Sequence, residues 1–228
     1  MLTLEDRLGL VLEDVWAQLP ALKAQVPALT VRFAPELGAV HGQFRPESSV
    51  IMIHPKLCAG ALPQLLPLID IRGEDPPKVT PYISRMYHTL AHECFHALLY
   101  YAALDDDPAW LRLSGWAQAE DDPPGTERYT ERRPGWTQGP SEWRYTSGSY
   151  FIRPYSARSP YEDAADFATH ELLGWTDAIT DPNGRAKRTW LRREVFGERG
   201  LQALTATTQR WRGQLQAVRE HWPQQRRC

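Results

Sequence analysis

The chain has 228 residues, of which 42% are hydrophobic and 24% charged, and its formal net charge is −2. This composition is ordinary for a soluble globular protein, and the length suffices for one large domain or two small ones. No apolar run approaches the roughly 20 residues that a membrane span requires, and the N-terminal segment lacks the basic region and unbroken apolar core of a signal peptide. We therefore expect a cytoplasmic protein without a membrane-spanning segment.

The three cysteines, Cys58, Cys94 and Cys228, are scattered and form no CxxC pair. Such a set argues against both a disulfide framework and a thiolate zinc site. It is also typical of a protein from a reducing compartment.

Positive charge is concentrated at the C-terminal end. From Asn183 onward the chain has eleven Arg or Lys residues and three Glu residues. A basic segment of this kind can contact nucleic acid or an acidic partner. A solvated helical face explains it more simply, because no nucleic-acid-binding motif accompanies the charge.

The first third of the chain predicts one amphipathic helix followed by a small sheet. Residues 3–19 have apolar side chains at helical spacing. Three short runs rich in β-branched residues follow at 28–34, 39–44 and 48–54, separated by the turn sequences PELG and RPES. They predict an antiparallel meander. Residues 55–70 predict a short helix broken by prolines.

The remainder predicts helices around one long connection. Residues 80–104 form the strongest helical segment, with Thr80 as N-cap and proline at the first helical position. A loop rich in Pro, Gly and Trp is expected over 105–148, a length that is usually functional or partly disordered. Further helices are predicted over 159–174, 186–197 and 200–221.

The segment AHECFH carries the pattern His-Glu-x-x-His. His92 and His96 are four residues apart, so on a helix both imidazoles lie on one face. Glu93 is offset by about 100° and can activate a water instead of binding a metal. The alternative is an ordinary core helix with hydrogen-bonded histidines. Cys94 lies on the opposite face and is expected to pack, and His88 extends the row as a second-shell or surface residue.

A catalytic zinc usually has three protein ligands. The extended pattern HExxHxxGxxH fails, because Leu99 and Ala102 occupy its Gly and His positions. The remaining candidate is Glu162, although the sequence from Ser159 to Glu162 also fits a capping box, in which the glutamate only secures the helix start.

Three neighbours favour Glu162 as a ligand. Asp166 is one helical turn further on, where a carboxylate can orient a ligating imidazole. Ala165 is small and permits close approach of the histidine helix, and Tyr155 lies seven residues before Glu162, within reach of the same cleft.

Together, HExxH and the later Tyr-x6-Glu-x2-Ala-Asp segment resemble the gluzincin metallopeptidases of the anthrax lethal factor type, which include the bacterial Pro-Pro endopeptidases. The resemblance implies that His92, His96 and Glu162 bind one zinc ion, that Glu93 is the general base and that Tyr155 stabilises the oxyanion. Asp166 replaces the usual glutamate of the family. The 65 residues between His96 and Glu162 exceed the spacing expected for these relatives.

The resemblance also implies an α+β, zincin-like metallopeptidase domain. We expect a single domain over 1–228, in which a helix and a small, mainly antiparallel sheet (1–79) precede the active-site helix (80–104). The loop 105–148 then leads to a mostly helical C-terminal part (149–228).

The substrate is expected to be a peptide bound in extended form along an edge strand, for which the run SSVIMIH (48–54) is favoured. Possible cleft residues, each more simply explained by packing, are Trp143, Tyr145, Tyr150 and Phe151. Two other functions stay open: a non-catalytic zinc-binding interaction module, and a protease tethered to nucleic acid by its basic C-terminal helices.

Overall fold

The computed structural model describes residues 26, 28–38, 40–55, 81–118, 143–146 and 148–197. The predictions that lie outside the described residues are the helix 3–19, the broken helix beyond residue 55, the N-cap at Thr80, the helix 200–221 and most of the basic C-terminal segment.

A three-stranded mixed sheet forms the N-terminal part. Its strands are β1 (Thr30–Phe33), β2 (Gly42–Arg45) and β3 (Val50–Ile53), in the order β1-β3-β2. β2 is antiparallel to β3, as a hairpin requires, but β1 is parallel to β3. The predicted antiparallel meander is therefore wrong. The physical reason is the apolar run of β3: its last three residues are fully buried, so the strand occupies the centre of the sheet.

Two predicted helices are confirmed. α1 spans Pro81–Tyr101, and α3 spans Pro160–Leu172; a shorter helix lies between them in the chain. The hydroxyl of Ser159 accepts the backbone N–H of Glu162 at 3.1 Å and caps α3. Gly174, with φ of 70°, ends the helical segment.

The segment 105–148 is not a loop at its two ends. α2 (Pro108–Ser114) begins directly after Asp107, whose carboxylate caps it by accepting the N–H groups of Ala109 and Trp110. β4 (Trp116–Gln118) then pairs antiparallel with β5 (Trp143–Tyr145). The long-loop prediction is wrong for these residues, because Asp-Pro starts a helix as readily as it makes a turn.

The same sequence signal shifts the next helix. α4 spans Pro182–Leu191 and so begins four residues before the predicted start at 186. Asp181 caps α4 by accepting the N–H of Gly184 at 2.9 Å. A single π-helical turn, Arg192–Phe196, continues it.

One hydrophobic core joins these elements. α1 packs chiefly against α3, and the inner face of β3 closes the core from the other side. The described residues therefore form an α+β arrangement, as predicted at that coarse level. Among them, no helix combines the length and apolar character needed to cross a bilayer.

The aromatic residues proposed for the cleft pack against other rings. The rings of Tyr145 and Phe151 are in edge contact, with their centres 4.7 Å apart, and the centre of the Trp116 ring lies 5.5 Å from that of Phe151. Tyr150 contacts the ring of Phe167 at 6.2 Å. Trp143 contacts the ring of Tyr161 at 6.0 Å. These contacts favour packing over substrate binding.

A buried ion pair fastens α4 to α3. Lys187 is fully buried, and its ammonium donates to Asp163 Oδ2 at 2.6 Å and to the Tyr150 carbonyl at 2.7 Å. The Trp116 indole N–H donates to the same carboxylate at 3.1 Å, and the ammonium lies 5.2 Å from the centre of the Trp110 ring. The ion pair therefore connects α4, α2 and the paired strands β4 and β5 to Asp163, the residue that follows Glu162.

Lys187→Met is expected to lower the free energy of unfolding by about 3–5 kcal/mol, because it leaves the Asp163 carboxylate buried without its cation. Urea denaturation followed by circular dichroism measures the loss. The double variant Lys187→Met/Asp163→Asn removes both charges and should recover at least half of it. Equal losses in the single and double variants would show that the ion pair does not account for the effect.

Candidate metal centre

Three potential ligand atoms converge where α1 faces α3. His92 Nε2 lies 2.9 Å from Glu162 Oε2 and 3.0 Å from His96 Nε2. Glu162 Oε2 and His96 Nε2 are 3.3 Å apart. His92 and Glu162 are buried, and His96 is partly exposed. Two residues one turn apart on α1 and one residue in the first turn of α3 thus form the set that the sequence predicted.

The donor set fits a divalent transition metal. Two imidazole nitrogens and one carboxylate oxygen suit zinc, and a tetrahedral zinc site places such atoms about 3.3 Å from one another. The observed separations of 2.9–3.3 Å are close to this value. Among the described residues, His92, His96 and Glu162 are the group of histidines and carboxylates that could hold a metal ion.

The carboxylate of Glu162 is directed at the histidines and does not close a capping box. Its Oε2 contacts His92 and His96, and its Oε1 accepts the Tyr155 hydroxyl at 3.0 Å. Only the Ser159 half of the box is formed. Burial alone would raise the pKa of Glu162, but His96 and His92 outweigh it and hold that pKa well below 4.5. The carboxylate is therefore ionised and available as a ligand.

Asp166 lies behind His92, on the same face of α3 as Glu162. Its Oδ1 is 2.9 Å from His92 Nδ1, an ion-pair contact off the line of an ideal hydrogen bond. The carboxylate also accepts hydrogen bonds from Ser156 Oγ at 2.8 Å and from Arg153 Nε at 2.7 Å. Burial would raise the pKa of Asp166, but His92 and Arg153 outweigh it and hold the pKa well below 3.8. Asp166 thus lies beside the candidate ligand that it was predicted to orient.

Zinc uptake at pH 7 is expected to release about one proton per chain. Burial opposes a charged His92, but Asp166 and Glu162 outweigh it and raise the pKa of His92 to about 10. The imidazole is thus protonated at pH 7 in the metal-free protein and must lose that proton to bind a metal. Affinity should then fall about tenfold for each pH unit below that pKa. Calorimetry in buffers of different ionisation enthalpy measures the proton release, and its absence would contradict this protonation state.

Glu93 contacts β2 and lies within electrostatic range of His92, His96 and Glu162. Its carboxylate is buried and accepts the backbone N–H of Phe44. Burial raises the pKa of Glu93, an effect that His92 and His96 partly offset. A carboxylate whose pKa is moved toward neutrality is better suited to proton transfer than an exposed glutamate.

Among the described strands, β2 and not β3 has an unpaired edge, and β2 contacts α1 at Glu93. The N–H of His54 donates to the His41 carbonyl at 2.8 Å, so this pair is hydrogen-bonded. Because antiparallel pairs alternate, Gly42 and Phe44 turn their backbone groups away from β3. β3 is paired on both sides, so the prediction that residues 48–54 offer an edge to a peptide is wrong.

Gly42 is required by the close approach of β2 to Glu93. A Cβ atom at this position would lie 2.8 Å from Glu93 Cγ, from Glu93 Oε1 and from Thr89 Cγ2. These distances are shorter than van der Waals contact, so either the Glu93 side chain or the strand must move. A side chain at residue 42 is therefore incompatible with the observed position of Glu93.

Because the gluzincin resemblance implies that Glu93 is the general base, Gly42→Ala is expected to reduce peptide cleavage by about tenfold or more while zinc binding is retained, since displacement of such a group by about 1 Å is costly. The overpacking should also lower the free energy of unfolding by about 1–3 kcal/mol. Initial rates and zinc content measure the two effects. Gln43→Ala, on the exposed face of the same strand, is the control and should behave as wild type. A fully active Gly42→Ala protein would contradict the packing argument.

The Tyr155 hydroxyl lies at the rim of the ligand set. Besides its hydrogen bond to Glu162, its ring is 6.0 Å from the ring of His92. Burial, together with Glu162 and Glu93, raises the pKa of Tyr155 above its usual value of 10. The hydroxyl therefore stays protonated and remains a hydrogen-bond donor, the state that the predicted role requires.

His88 is a buried packing residue. Its ring is stacked with that of Trp175 at 5.9 Å and in edge contact with that of His170 at 5.2 Å. Burial and the cation of Arg153 lower the pKa of His88 well below 6.5. The surface alternative considered for His88 is therefore wrong, while the assignment of buried Cys94 to packing agrees with the structure.

Comparisons with protein-family models, with curated proteins and with solved structures find no match for this chain. The resemblance to the gluzincins therefore stays an interpretation of two short segments.

Sequence reasoning missed residues that act through tertiary contacts. Arg153 neutralises Asp166, and Gly42 makes room for Glu93. The only signal for Arg153 was indirect: a buried Asp166 needs a cation, and arginine stands close to Tyr155 in sequence. Gly42 had no distinguishing signal, since a glycine within a strand also marks bulges and turns.

Proposed function

We propose that this protein is a zinc-dependent metallopeptidase with a zincin-like catalytic domain. The observation that supports it is the convergence of His92 Nε2, His96 Nε2 and Glu162 Oε2 within 3.3 Å of one another. Glu93 lies within electrostatic range of this set, and the Tyr155 hydroxyl donates to Glu162; the gluzincin resemblance implies that these two residues are the base and the oxyanion donor.

Zinc held by these three residues supplies a Lewis acid, which acidifies water and polarises a carbonyl group. Glu93 accepts the proton of the attacking water and later delivers it to the leaving nitrogen of the peptide. Tyr155 donates its hydroxyl hydrogen bond to the developing oxyanion. Asp166 holds the imidazole of His92 in place through its contact with Nδ1.

The peptide substrate binds along β2 by strand addition. The backbone groups of Gly42 and the carbonyl of Phe44, which point away from β3, are the pairing groups of this edge; the Phe44 N–H already donates to Glu93. The edge runs beside Glu93, so an added strand brings a scissile bond close to the general base. β2 thereby replaces the strand first favoured from sequence.

A non-catalytic zinc-binding module is the main rival. It requires the three ligands, but it has no need for a buried carboxylate against a strand or for a partly buried tyrosine hydroxyl beside the ligands. Burial of the Glu93 carboxyl carries a desolvation cost, which a catalytic role accounts for. Glu93 and Tyr155 therefore favour the enzyme.

Nucleic-acid tethering is weakly supported. In the described start of the basic segment, Lys187 pairs with Asp163, and Arg188 and Arg192 both contact Glu171, at 2.9 and 2.5 Å. These cations are used inside the fold and leave less charge for a phosphate backbone.

The decisive experiment combines metal analysis with peptide cleavage. The purified protein is expected to contain one zinc ion per chain and to cleave members of a peptide library, to lose that activity on treatment with 1,10-phenanthroline, and to regain it with added zinc. A protein that binds no zinc contradicts the proposal, and one that binds zinc without cleaving any peptide leaves the non-catalytic module.

A further inference from the structure

Two arginines flank the ring of Tyr155. In the sequence, Arg153 precedes Tyr155 and Arg158 follows it. Arg158 is the last residue of the short helical turn Pro154–Arg158. Their guanidinium carbons lie 4.8 and 4.1 Å from the centre of the tyrosine ring. Such cation–π contacts fix the position of a guanidinium without neutralising its charge.

The two arginines differ in their partners. Arg153 donates to both oxygens of Asp166 and is thereby neutralised. Among the residues that the structure describes, no carboxylate lies within ion-pair distance of Arg158. Arg158 is only half buried, so part of the residue is open to solvent or to a ligand. It is the cation beside the candidate centre whose charge the described part of the fold leaves unpaired.

Arg158 is close to the candidate centre. Its guanidinium carbon is 4.1 Å from the Tyr155 ring, and that ring is 6.0 Å from the ring of His92, so the guanidinium and His92 are no more than about 10 Å apart. An extended peptide advances about 3.3 Å per residue. A substrate group that reaches Arg158 therefore belongs to a residue within about three positions of the scissile bond.

We propose that Arg158 binds a carboxylate of the peptide substrate and makes the enzyme selective for peptides with such a group close to the scissile bond. This rests on the proposed peptidase function. A guanidinium stacked on an aromatic ring keeps its N–H edge free, and that edge matches the two oxygens of a carboxylate. The carboxylate comes from an Asp or Glu side chain or from the free C-terminus of a short peptide.

The test uses the zinc-loaded full chain and a library of short peptides. One arm of the library has amidated C-termini and the other has free C-termini, and the cleavage products of both are sequenced by mass spectrometry. A preferred peptide is then resynthesised with Glu, Gln or Lys at the selected position. Wild type is expected to cleave the Glu peptide at least about tenfold faster than the Gln peptide, in kcat/KM. If selection occurs only in the arm with free C-termini, the terminal carboxylate is the group bound, and free and amidated peptides are compared instead.

Arg158→Gln is expected to reduce this ratio to near one, and Arg158→Glu to reverse it in favour of the Lys peptide. Arg158→Gln decides the question if Arg158→Glu does not fold, as judged by circular dichroism and zinc content. Arg185→Glu, an exposed charge reversal on α4, is the matched control and should keep the wild-type ratio.

Two results overturn the inference, and they are distinguishable. If wild type cleaves peptides but the ratio stays below about threefold, or is unchanged in both Arg158 variants, only the role of Arg158 is wrong. If the zinc-loaded wild type cleaves no peptide in either arm, the proposed function fails and the inference falls with it.

Discussion

Glu93→Gln is expected to keep one zinc ion per chain and to slow peptide cleavage by about 100- to 10,000-fold. The amide has the size of the carboxylate and can still accept the Phe44 N–H, so the local packing is preserved. It cannot accept a proton from water, so the chemical step loses its base. Zinc content and kcat/KM measure the two properties separately.

The pH profile gives an independent check of this role. Burial raises the pKa of Glu93, so the carboxyl is protonated, and the wild-type enzyme inactive, below that raised pKa. Activity should therefore rise with pH through it, and Glu93→Gln should lose this limb of the profile together with the rate.

Glu194→Gln, which changes an exposed carboxylate in the turn after α4, is the control and should retain both zinc and rate. If Glu93→Gln cleaves as fast as wild type with zinc bound, the base has been assigned to the wrong residue. If the variant fails to bind zinc, Glu93 has a structural or ligand role that its position against β2 does not suggest.

The candidate ligands could be predicted because they depend on local geometry and donor chemistry. A helix places residues four apart on one face, which is sufficient to bring His92 and His96 together. The same rule put Asp166 on the face of Glu162, and the structure joins both to His92. Favouring a ligand role for the glutamate over the capping box depended on its neighbours Asp166, Ala165 and Tyr155.

The sheet order could not be predicted in the same way. Each strand was recognisable from its residues, but the pairing of β1 with β3 depends on which strand the core buries on both sides. That choice joins residues about 20 positions apart, and no local pattern encodes it. The consequence is functional, because the edge available to a substrate passes from β3 to β2 and thus to the strand that contacts Glu93.

The polar groups around the candidate centre form layers of alternating charge. Glu162 and Asp166 contact His92 at its two ring nitrogens, and Arg153 neutralises Asp166 from behind. Each charge is thus balanced by the next, which lowers the cost of burying all of them. A divalent cation bound by the three candidate ligands would take the place of the proton on His92, and Asp166 and Arg153 could keep their present contacts.

The layered arrangement predicts a graded loss of zinc affinity, and Glu162→Gln should show the largest loss. Changing a residue that only orients a ligand costs about 10- to 100-fold in metal affinity, which is the expectation for Asp166→Asn. Glu162→Gln removes a charged ligand and should cost more than that. Competition titration against a chromophoric chelator measures both.

The metal-free form of Glu162→Gln provides the pH check and the control for folding. His96 and His92 hold the pKa of Glu162 well below 4.5 against the effect of burial, so this carboxylate stabilises the apoprotein above about pH 4.5, and the contribution is lost as the pH falls. The metal-free variant should therefore be less stable than metal-free wild type at neutral pH and similar to it in acid. Zinc affinities are compared only at pH values where circular dichroism shows that both proteins are folded. Glu194→Gln should bind zinc as wild type does. If folded Glu162→Gln binds zinc as tightly as wild type, Glu162 is not a ligand, and His92, His96 and Glu162 form a hydrogen-bonded cluster within the core.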